Sequence, residues 1–585
     1  MRKNADEKAM LLPLHSFGHT AFCAEKANWH ICAWAVRSAF CIVSMCKWLY
    51  DCKFSQNTIK RERNINSKIY FIVFAAAFVV GVGTRIYTFG QAPGGLFFDE
   101  AMAAIDGKAI ADYGTDHYGM RFPVYFEAWK NGHQSIMMGY IMAPIIKLFG
   151  FSKLTIRLPL LLTSIAGAVF LVLLAKDMFG MKAAAITALI VAMNPWHFMQ
   201  SRWALDCYMF PHFFIISLYF LNKGMKNKKW LYVSMVFFGL TMYCYGISIY
   251  IVPTFLVAFA IYALIKKYIN IKELLISIAV YLFIAWPNIL CIMVNFFKWD
   301  TISTPLFTIP RFYETQRQTD LLFFTAEPLK QLWANAKELF NLVVLQKSDF
   351  STHSIQGFST MYYFSIPLAV VGLIYLFIQK NKLARGVILV SLISCAAGCL
   401  VTLPGTWRIA ILLYPLMILT ALGIKFIIDK IRFSEWAVLA SYAMIFIMFV
   451  SVYFTTWATD MYRNFFGDFC AALEYVETFD VDKYYITSTT RLQDTKKESE
   501  AYTIFFHDID ARYYQGLTNE NHGKTYLPYK ERYKYSNIQP SDVKENENAA
   551  YIITTAEKKY FDETKYDFKP FRGYQTDYYA VTKKQ

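Results

Sequence analysis

Charged residues are scarce in this chain. They make up 17% of its 585 residues, whereas hydrophobic residues make up 56% and aromatic residues 18%. A soluble protein of this length needs several domains with charged surfaces, so the scarcity of charge argues against one. The net charge of +16 does not form one basic patch, because lysines and arginines collect in short loops between apolar runs. That distribution is typical of a multi-pass membrane protein and makes nucleic acid an improbable partner.

A cysteine framework is also missing. The 11 cysteines follow no pairing pattern and show no CxxC spacing, which argues against a disulfide scaffold or a zinc site. We therefore interpret them as small buried hydrophobic residues and predict no metal site from ligand spacing. The chain contains no internal repeat that we can detect.

Long apolar runs are abundant, and they predict a polytopic α-helical membrane protein. A span needs about 20 largely apolar residues, and about eleven segments qualify. The predicted spans are 69–87, 158–174, 183–198, 209–221, 230–245, 247–265, 274–296, 361–378, 387–403, 409–428 and 436–457.

The positive-inside rule decides the status of one further apolar run, 135–149. If this run crossed the membrane, the basic loops at Lys226, Lys266 and Lys382 would all lie outside, against the rule. We therefore predict that it lies in the outer interface. The three long outer regions are then 88–155, 297–358 and everything after residue 457.

The predicted division has three parts. Residues 1–66 form an N-terminal cytoplasmic extension, and residues 67–457 form the membrane domain. Residues 458–585 form a small extracytoplasmic α/β domain, with a helix at 465–478 and strands at 484–489, 502–506, 551–555 and 578–582.

Two adjacent carboxylates, Asp99 and Glu100, follow the first span in the stretch Gly-Leu-Phe-Phe-Asp-Glu-Ala. Ionised groups beside a bilayer are costly and tend to mark function. The alternative is a solvated loop without a role. On the same predicted side, Arg202 and Asp206 stand four residues apart, which on a helix gives either a functional pair or a local ion pair.

Other candidates lie on the predicted outer side. Arg408 begins a span, where it is either a functional cation or a snorkelling interfacial residue. Lys130 and His133 follow the first outer loop, and His353 lies near the end of the second. A histidine in such a place is either functional or a hydrogen-bonded structural residue.

These residues carry a resemblance to a known superfamily. The carboxylate pair, the stretch Asn-Pro-Trp-His that precedes Ser-Arg-Trp-Ala-Leu-Asp, and the run from Trp407 to Gly423 resemble the GT-C integral-membrane glycosyltransferases. The likeness is to the protein O-mannosyltransferase and aminoarabinose-transferase type, over roughly 68–457.

The resemblance implies transfer of a sugar from a polyprenyl-phosphate donor to an extracytoplasmic acceptor at the outer face of the plasma membrane. Asp99, beside Glu100, matches the catalytic carboxylate, and Asp206 matches a second acidic position. Arg202 and Arg408 match positions that face the lipid phosphate, with Lys130 and His133 as further candidates. Protein mannosyltransferases have a His-Pro-Pro-type stretch where this chain has Asn-Gly-His-Gln-Ser, which puts the role of His133 and a mannose donor in doubt.

Two questions stay open at this point. One is metal dependence, because Asp99, Glu100 and Asp206 offer the oxygen ligands that a divalent cation takes. The other is the class of protein, since a transporter or flippase of lipid-linked saccharides would also be polytopic, basic and aromatic. The absence of repeats and of mid-span charges favours the enzyme.

Overall fold

The structure is a computed structural model that describes residues 66–129, 132–313, 321–431, 434–490, 496–572 and 576–584. Residues 1–65, nearly all of the predicted extension, lie outside the described residues, and so does Lys130. The prediction for the extension is therefore not addressed.

Ten helices cover the first half of the described chain. They are α1 (Asn66–Ile86), α2 (Phe98–Tyr113), α3 (Ile136–Phe149), α4 (Lys153–Phe179), α5 (Met181–Met193), α6 (Pro195–Gln200), α7 (Met209–Gly224), α8 (Lys228–Thr241), α9 (Ser248–Ile265) and α10 (Ile271–Phe297). Two short hairpins accompany them, β1 (Phe126–Ala128) with β2 (Gly132–Gln134) and β3 (Ile302–Ser303) with β4 (Thr308–Ile309).

The second half begins with an amphipathic helix and returns to apolar ones. These helices are α11 (Pro328–Val343), α12 (Ser365–Ile378), α13 (Lys382–Cys399), α14 (Thr406–Lys430), α15 (Ser434–Val452) and α16 (Ala458–Asn464). A π-helical turn, Tyr453–Trp457, joins the last two.

Six helices of the described chain are long and apolar enough to cross a membrane: Lys153–Phe179, Ser248–Ile265, Ile271–Phe297, Lys382–Cys399, Thr406–Lys430 and the continuous stretch Ser434–Asn464. Each of the other predicted spans also corresponds to a helix, but a shorter one or one below that criterion. The chain is thus a multi-pass membrane protein, while the count of about eleven crossings stays a prediction.

Helix α14 is the most enclosed of these six helices, with buried residues along most of its length. It packs along α12, and glycines make this contact close. A Cβ at Gly372 would lie 1.8 Å from the Leu419 carbonyl oxygen, and one at Gly423 would lie 2.0 Å from that of Leu368. Helices in lipid associate through such small-residue contacts, because no hydrophobic force drives apolar helices together there.

The chain after the last apolar helix folds as helices against a five-stranded sheet. The elements are α17 (Gly467–Glu477), β5 (Lys483–Ile486), α18 (Lys496–Phe506), α19 (Ala511–Tyr514), β6 (Glu520–Asn521), β7 (Lys524–Thr525), α20 (Tyr529–Arg532), β8 (Tyr533–Tyr535), β9 (Ala549–Thr554), β10 (Tyr566–Phe571) and β11 (Tyr578–Lys583). The order of the strands in the sheet is β10-β11-β9-β5-β8, with β5 parallel to both β8 and β9.

One strand prediction in this region is wrong. The segment 502–506 belongs to helix α18, in which Tyr502, Ile504 and Phe505 are buried. Periodicity cannot distinguish a buried helix segment from a strand in so short an apolar run. The helix predicted at 465–478 and the three other strands correspond to α17, β5, β9 and β11.

The sheet region is held to the first long loop. Lys108 on α2 forms an ion pair with Asp508, and Gln515 donates to the carbonyl oxygen of Asp116 over 3.1 Å. Gly95 approaches residue 465 so closely that a Cβ there would lie 2.3 Å from the Phe465 carbonyl oxygen. Its φ of +70° is a further reason for glycine at this position. These contacts hold α2 and the loops on either side of it against the C-terminal region.

The predicted sidedness can be tested by labelling single introduced cysteines in intact cells with a membrane-impermeant maleimide. Tyr313→Cys and Lys544→Cys should be labelled, because both positions are exposed and belong to predicted outer regions. Lys226→Cys and Lys382→Cys, equally exposed, should react only after permeabilisation, with the unsubstituted chain as background. Labelling of position 226 from outside would contradict the topology.

Candidate active site

A cavity of about 950 Å³ lies where several segments distant in sequence meet. Its walls come from the start of α2, the β1–β2 hairpin, the segment around Asp206 and the start of α14. The α16–α17 junction closes another side. Five of the side chains predicted from sequence line this one cavity, namely Asp99, His133, Asp206, His353 and Arg408.

Asp99 and Asp206 each accept a hydrogen bond from one of two consecutive residues, Gln134 and Ser135. The Gln134 side-chain amide donates to the carbonyl oxygen of Asp99 over 3.2 Å, and the Ser135 backbone N–H donates to Asp206 Oδ2 over 3.2 Å. Burial raises the pKa of the Cys207 thiol, and Asp206 and Asp99 raise it further. Both carboxylates therefore act on the same sulfur at the cavity wall.

Asp99 lies in the first turn of α2. The N-terminal end of a helix carries partial positive charge, which stabilises a carboxylate there. The next residue completes the turn, because Glu100 accepts the backbone N–H of Phe97 over 3.1 Å. The local sequence thus positions one carboxylate for the cavity and uses its neighbour to cap the helix.

Glu100 does not line the cavity, which corrects its predicted catalytic role. Its carboxylate is fully buried and accepts hydrogen bonds from Nε and Nη2 of Arg157, over 2.8 and 2.9 Å. It also accepts the backbone N–H of Ala204 over 2.7 Å. Arg157 in turn donates to the carbonyl oxygen of Pro93 over 2.8 Å. Glu100 therefore joins α2, α4 and the segment that carries Asp206.

Arg202 does not reach the cavity either, which corrects its predicted contact with the donor phosphate. Its fully buried guanidinium donates to the carbonyl oxygens of Arg85, Tyr87 and Ala92, over 2.6, 2.8 and 3.0 Å. It also stacks 4.9 Å from the ring centre of Phe454 in the π-helical turn. The carbonyl groups at a helix C-terminus lack partners within the helix, and Arg202 satisfies those at the end of α1.

Arg408 is the predicted cation that the cavity contains. It lies in the first turn of α14, whose N-terminus is capped by Asp349 through the backbone N–H of Thr406, over 2.6 Å. Its guanidinium lies 5.7 Å from the ring centre of Trp407 and donates to the carbonyl oxygen of Leu403. Tyr245 and Asp206 line the same cavity as this cation.

His353 supplies a neutral polar group. Its Nδ1 lies 2.7 Å from the Tyr208 hydroxyl, and its ring packs against those of Trp203 and Trp407. Burial lowers the pKa of His353 to about 4, with nearby Asp349 acting in the opposite direction. The imidazole is therefore uncharged at neutral pH and adds no positive charge to the cavity.

His133 stands on the β1–β2 hairpin, with its ring 3.9 Å from that of Phe312. In the described part of the chain, no group of three His, Cys, Asp or Glu side chains is arranged to hold a metal ion. Asp99 and Asp206 are present at the cavity, but Glu100 is engaged by Arg157. The three carboxylates considered from sequence thus do not converge on one ion.

Sequence reasoning missed four residues of this region: Arg157, Tyr245, Arg463 and Asp468. A signal existed for Arg157, because an arginine inside an apolar run is costly and implies a buried partner. The other three line the cavity. Tyr245 ends a predicted span, and Arg463 and Asp468 follow the last predicted span. Charged and aromatic residues are common at such places, so no local pattern marks them.

A model of the family "Dolichyl-phosphate-mannose-protein mannosyltransferase" matches residues 133–290. No curated protein matches the chain. Among solved structures, the chain is similar to ArnT from Cupriavidus metallidurans in the apo state, at 13% identity and a TM-score of 0.53. It is also similar to the same protein bound to undecaprenyl phosphate, at 12% identity and a TM-score of 0.52. Each match covers 88% of this chain and 98% of that chain.

The chain has the fold of ArnT. The resemblance predicted from the sequence is thereby confirmed at the level of the fold.

The Glu100–Arg157 pair should show strong coupling in a double-mutant cycle. Arg157→Met leaves a buried carboxylate uncompensated, which should lower the free energy of unfolding by about 3–5 kcal/mol. Glu100→Gln in the same chain should recover part of that loss, because the amide carries no charge. The measurement is unfolding in detergent by denaturant or heat.

The exposed pair Lys147–Asp112, separated by 3.5 Å, is the matched control, and its cycle should give less than about 1 kcal/mol. Additive effects of Arg157→Met and Glu100→Gln would show that the buried pair is not coupled.

Proposed function

We propose that this protein is a membrane glycosyltransferase that moves a sugar from a polyprenyl-phosphate donor to an extracytoplasmic acceptor. The observation that carries the proposal is the meeting of two carboxylates, Asp99 and Asp206, with the cation Arg408 in one cavity. The same cavity has apolar lining from Ile247 and Ile249, at the start of the membrane helix α9. A base, a phosphate site and a route for a lipid tail are thus combined.

The similar proteins support a lipid-phosphate donor. The description of the matching family names dolichyl-phosphate-mannose, and one of the two ArnT structures contains undecaprenyl phosphate. The identity of the sugar does not follow from either, and neither does the nature of the acceptor. We place the site on the extracytoplasmic face of the plasma membrane, with 67–457 as the membrane domain and 458–585 as a domain above it.

The chemistry is a single inverting displacement. The acceptor hydroxyl attacks the anomeric carbon, the bond from that carbon to the phosphate oxygen breaks, and polyprenyl phosphate leaves with the electron pair. Asp99 takes the proton from the acceptor hydroxyl as general base. Arg408 stabilises the negative charge that develops on the departing phosphate, and the Leu403 carbonyl oxygen accepts a hydrogen bond from its guanidinium. Asp206 orients the sugar from the neighbouring wall.

A transporter of lipid-linked saccharides is the alternative class. Transporters bind their substrates near the bilayer midplane, usually at broken helices. The cavity here opens instead where helices begin, at the first turns of α2 and α14. Its position therefore favours an enzyme.

Replacement of the proposed base tests the function directly. Purified protein in nanodiscs would receive a polyprenyl-phosphate hexose pool and an acceptor membrane fraction, and the release of free polyprenyl phosphate would be measured. Asp99→Asn should lower turnover by about 100- to 10,000-fold, because the amide cannot accept the proton.

Asp112→Asn is the matched control, since it changes an exposed carboxylate near the other end of the same helix and should leave turnover unchanged. Near-normal turnover of Asp99→Asn would rule out this residue as base.

The donor phosphate site is tested by Arg408→Gln. Loss of a charge-assisted hydrogen bond costs about 1.5–3 kcal/mol, so the donor concentration for half-maximal rate should rise about 10- to 150-fold. Arg408→Lys should recover the loss only in part, because an ammonium offers no planar pair of donors.

Arg311→Gln is the control, because it removes an arginine of the outer region that pairs with Asp300 over 3.0 Å and does not line the cavity. An unchanged donor requirement in Arg408→Gln, together with lower expression, would support the membrane-anchor interpretation of Arg408.

A further inference from the structure

One wall of the cavity has no part in the donor chemistry. It comes from the α16–α17 junction and contains Arg463, Asn464 and Asp468. Arg463 is exposed, and Asn464 and Asp468 are half-buried. Arg408 and the apolar residues of α9 belong to other segments of the lining.

The charges of this wall compensate each other. Burial raises the pKa of Asp468, the positive charge of Arg463 lowers it, and the negative charge of Asp577 raises it. The wall thus contains one cation, Arg463, and one carboxylate, Asp468, and has no excess of positive charge. A phosphate group placed here would meet the carboxylate of Asp468, and an ammonium group would meet Arg463.

The polar groups offer both donors and acceptors within one short stretch. A guanidinium presents only N–H donors, a carboxylate presents only acceptors, and an amide presents both. Neighbouring hydroxyl groups on a sugar ring can each donate and accept, so this mixture suits them. Phe466 and Tyr578 line the same wall, and aromatic rings suit the apolar C–H face of a pyranose.

This wall adjoins the helix that carries the proposed base. Phe466 and Phe98 both pack against the ring of Tyr502, with ring centres 5.5 and 6.1 Å away. Phe98 directly precedes Asp99 in the chain. The backbone N–H of Leu96 also donates to the Phe465 carbonyl oxygen over 2.9 Å. A ligand on this wall can thus bring a hydroxyl to Asp99.

We propose that the wall formed by Arg463, Asn464 and Asp468 is the acceptor subsite, and that the acceptor is an uncharged saccharide. The inference rests on the proposed transferase function and adds the substrate class. A glycan hydroxyl binds between Arg463 and Asp468, stacks its ring on the neighbouring aromatic residues and loses its proton to Asp99.

The test uses the nanodisc assay. The acceptor source is the membrane and wall fraction of a strain that lacks the gene for this protein. Arg463→Gln and Asp468→Asn should each raise the amount of acceptor fraction needed for half-maximal rate by about tenfold or more. The donor requirement should stay at the wild-type value, in contrast to Arg408→Gln. The unfolding midpoint of both variants should equal that of the wild type, which excludes a general loss of fold.

A competition experiment identifies the acceptor class. Neutral oligosaccharides should inhibit transfer by the wild type. With Asp468→Asn, the oligosaccharide concentration for half-maximal inhibition should be about tenfold higher. Inhibition by a phosphorylated glycolipid or by a Ser/Thr peptide, without inhibition by neutral oligosaccharides, would overturn the assignment. An unchanged acceptor requirement in both variants would also overturn it.

The failure of the proposed function gives a different result. If the wild type releases no polyprenyl phosphate from any donor in the pool, the transferase proposal fails and takes the acceptor subsite with it. If the wild type is active but Arg463→Gln and Asp468→Asn leave the acceptor requirement unchanged, only the proposal of the acceptor subsite is wrong.

Discussion

The ion pair between Glu100 and Arg157 is the interaction on which the candidate site depends. Neither side chain is exposed to solvent, so removal of either one would leave the other as an uncompensated buried charge. Through the carbonyl oxygen of Pro93 and the backbone N–H of Ala204, the pair joins the loop before α2, helix α4 and the segment before Asp206. Asp99 and Asp206 come from segments about one hundred residues apart, and this pair holds those segments together.

A second buried arginine solves the same electrostatic problem differently. Arg202 binds backbone carbonyl groups at the end of α1 and the aromatic rings of the π-helical turn. Carbonyl dipoles and ring faces stabilise its charge there without a carboxylate. Arg157 and Arg202 are therefore committed to the scaffold, and Arg408 and Arg463 face the cavity. The different environments of these arginines set the polarity of the two cavity walls.

Sequence reasoning predicted most helices and five of the side chains that line the cavity, because hydrophobic runs and the order of outer segments are local properties. It failed where the identity of a contact mattered. Glu100 looked equivalent to Asp99, yet successive side chains on a helix point about 100° apart. Asp99 therefore faces the cavity, whereas Glu100 faces Arg157. The error at 502–506 has a similar origin, since a five-residue apolar run fits the inner face of a helix or a strand.

The sequence by itself determined that the chain is a bundle of membrane helices, with most of its charged residues outside the apolar runs. The cost of placing charge and unpaired backbone groups in hydrocarbon enforces both features along the chain. Only the tertiary structure decided which charges line the cavity and which are buried in the scaffold. That outcome depends on the partner brought within about 3 Å by segments remote in sequence. Arg157 and Arg408 are the same residue type beside apolar helices, and only their neighbours distinguish a buried ion pair from a cation that lines the cavity.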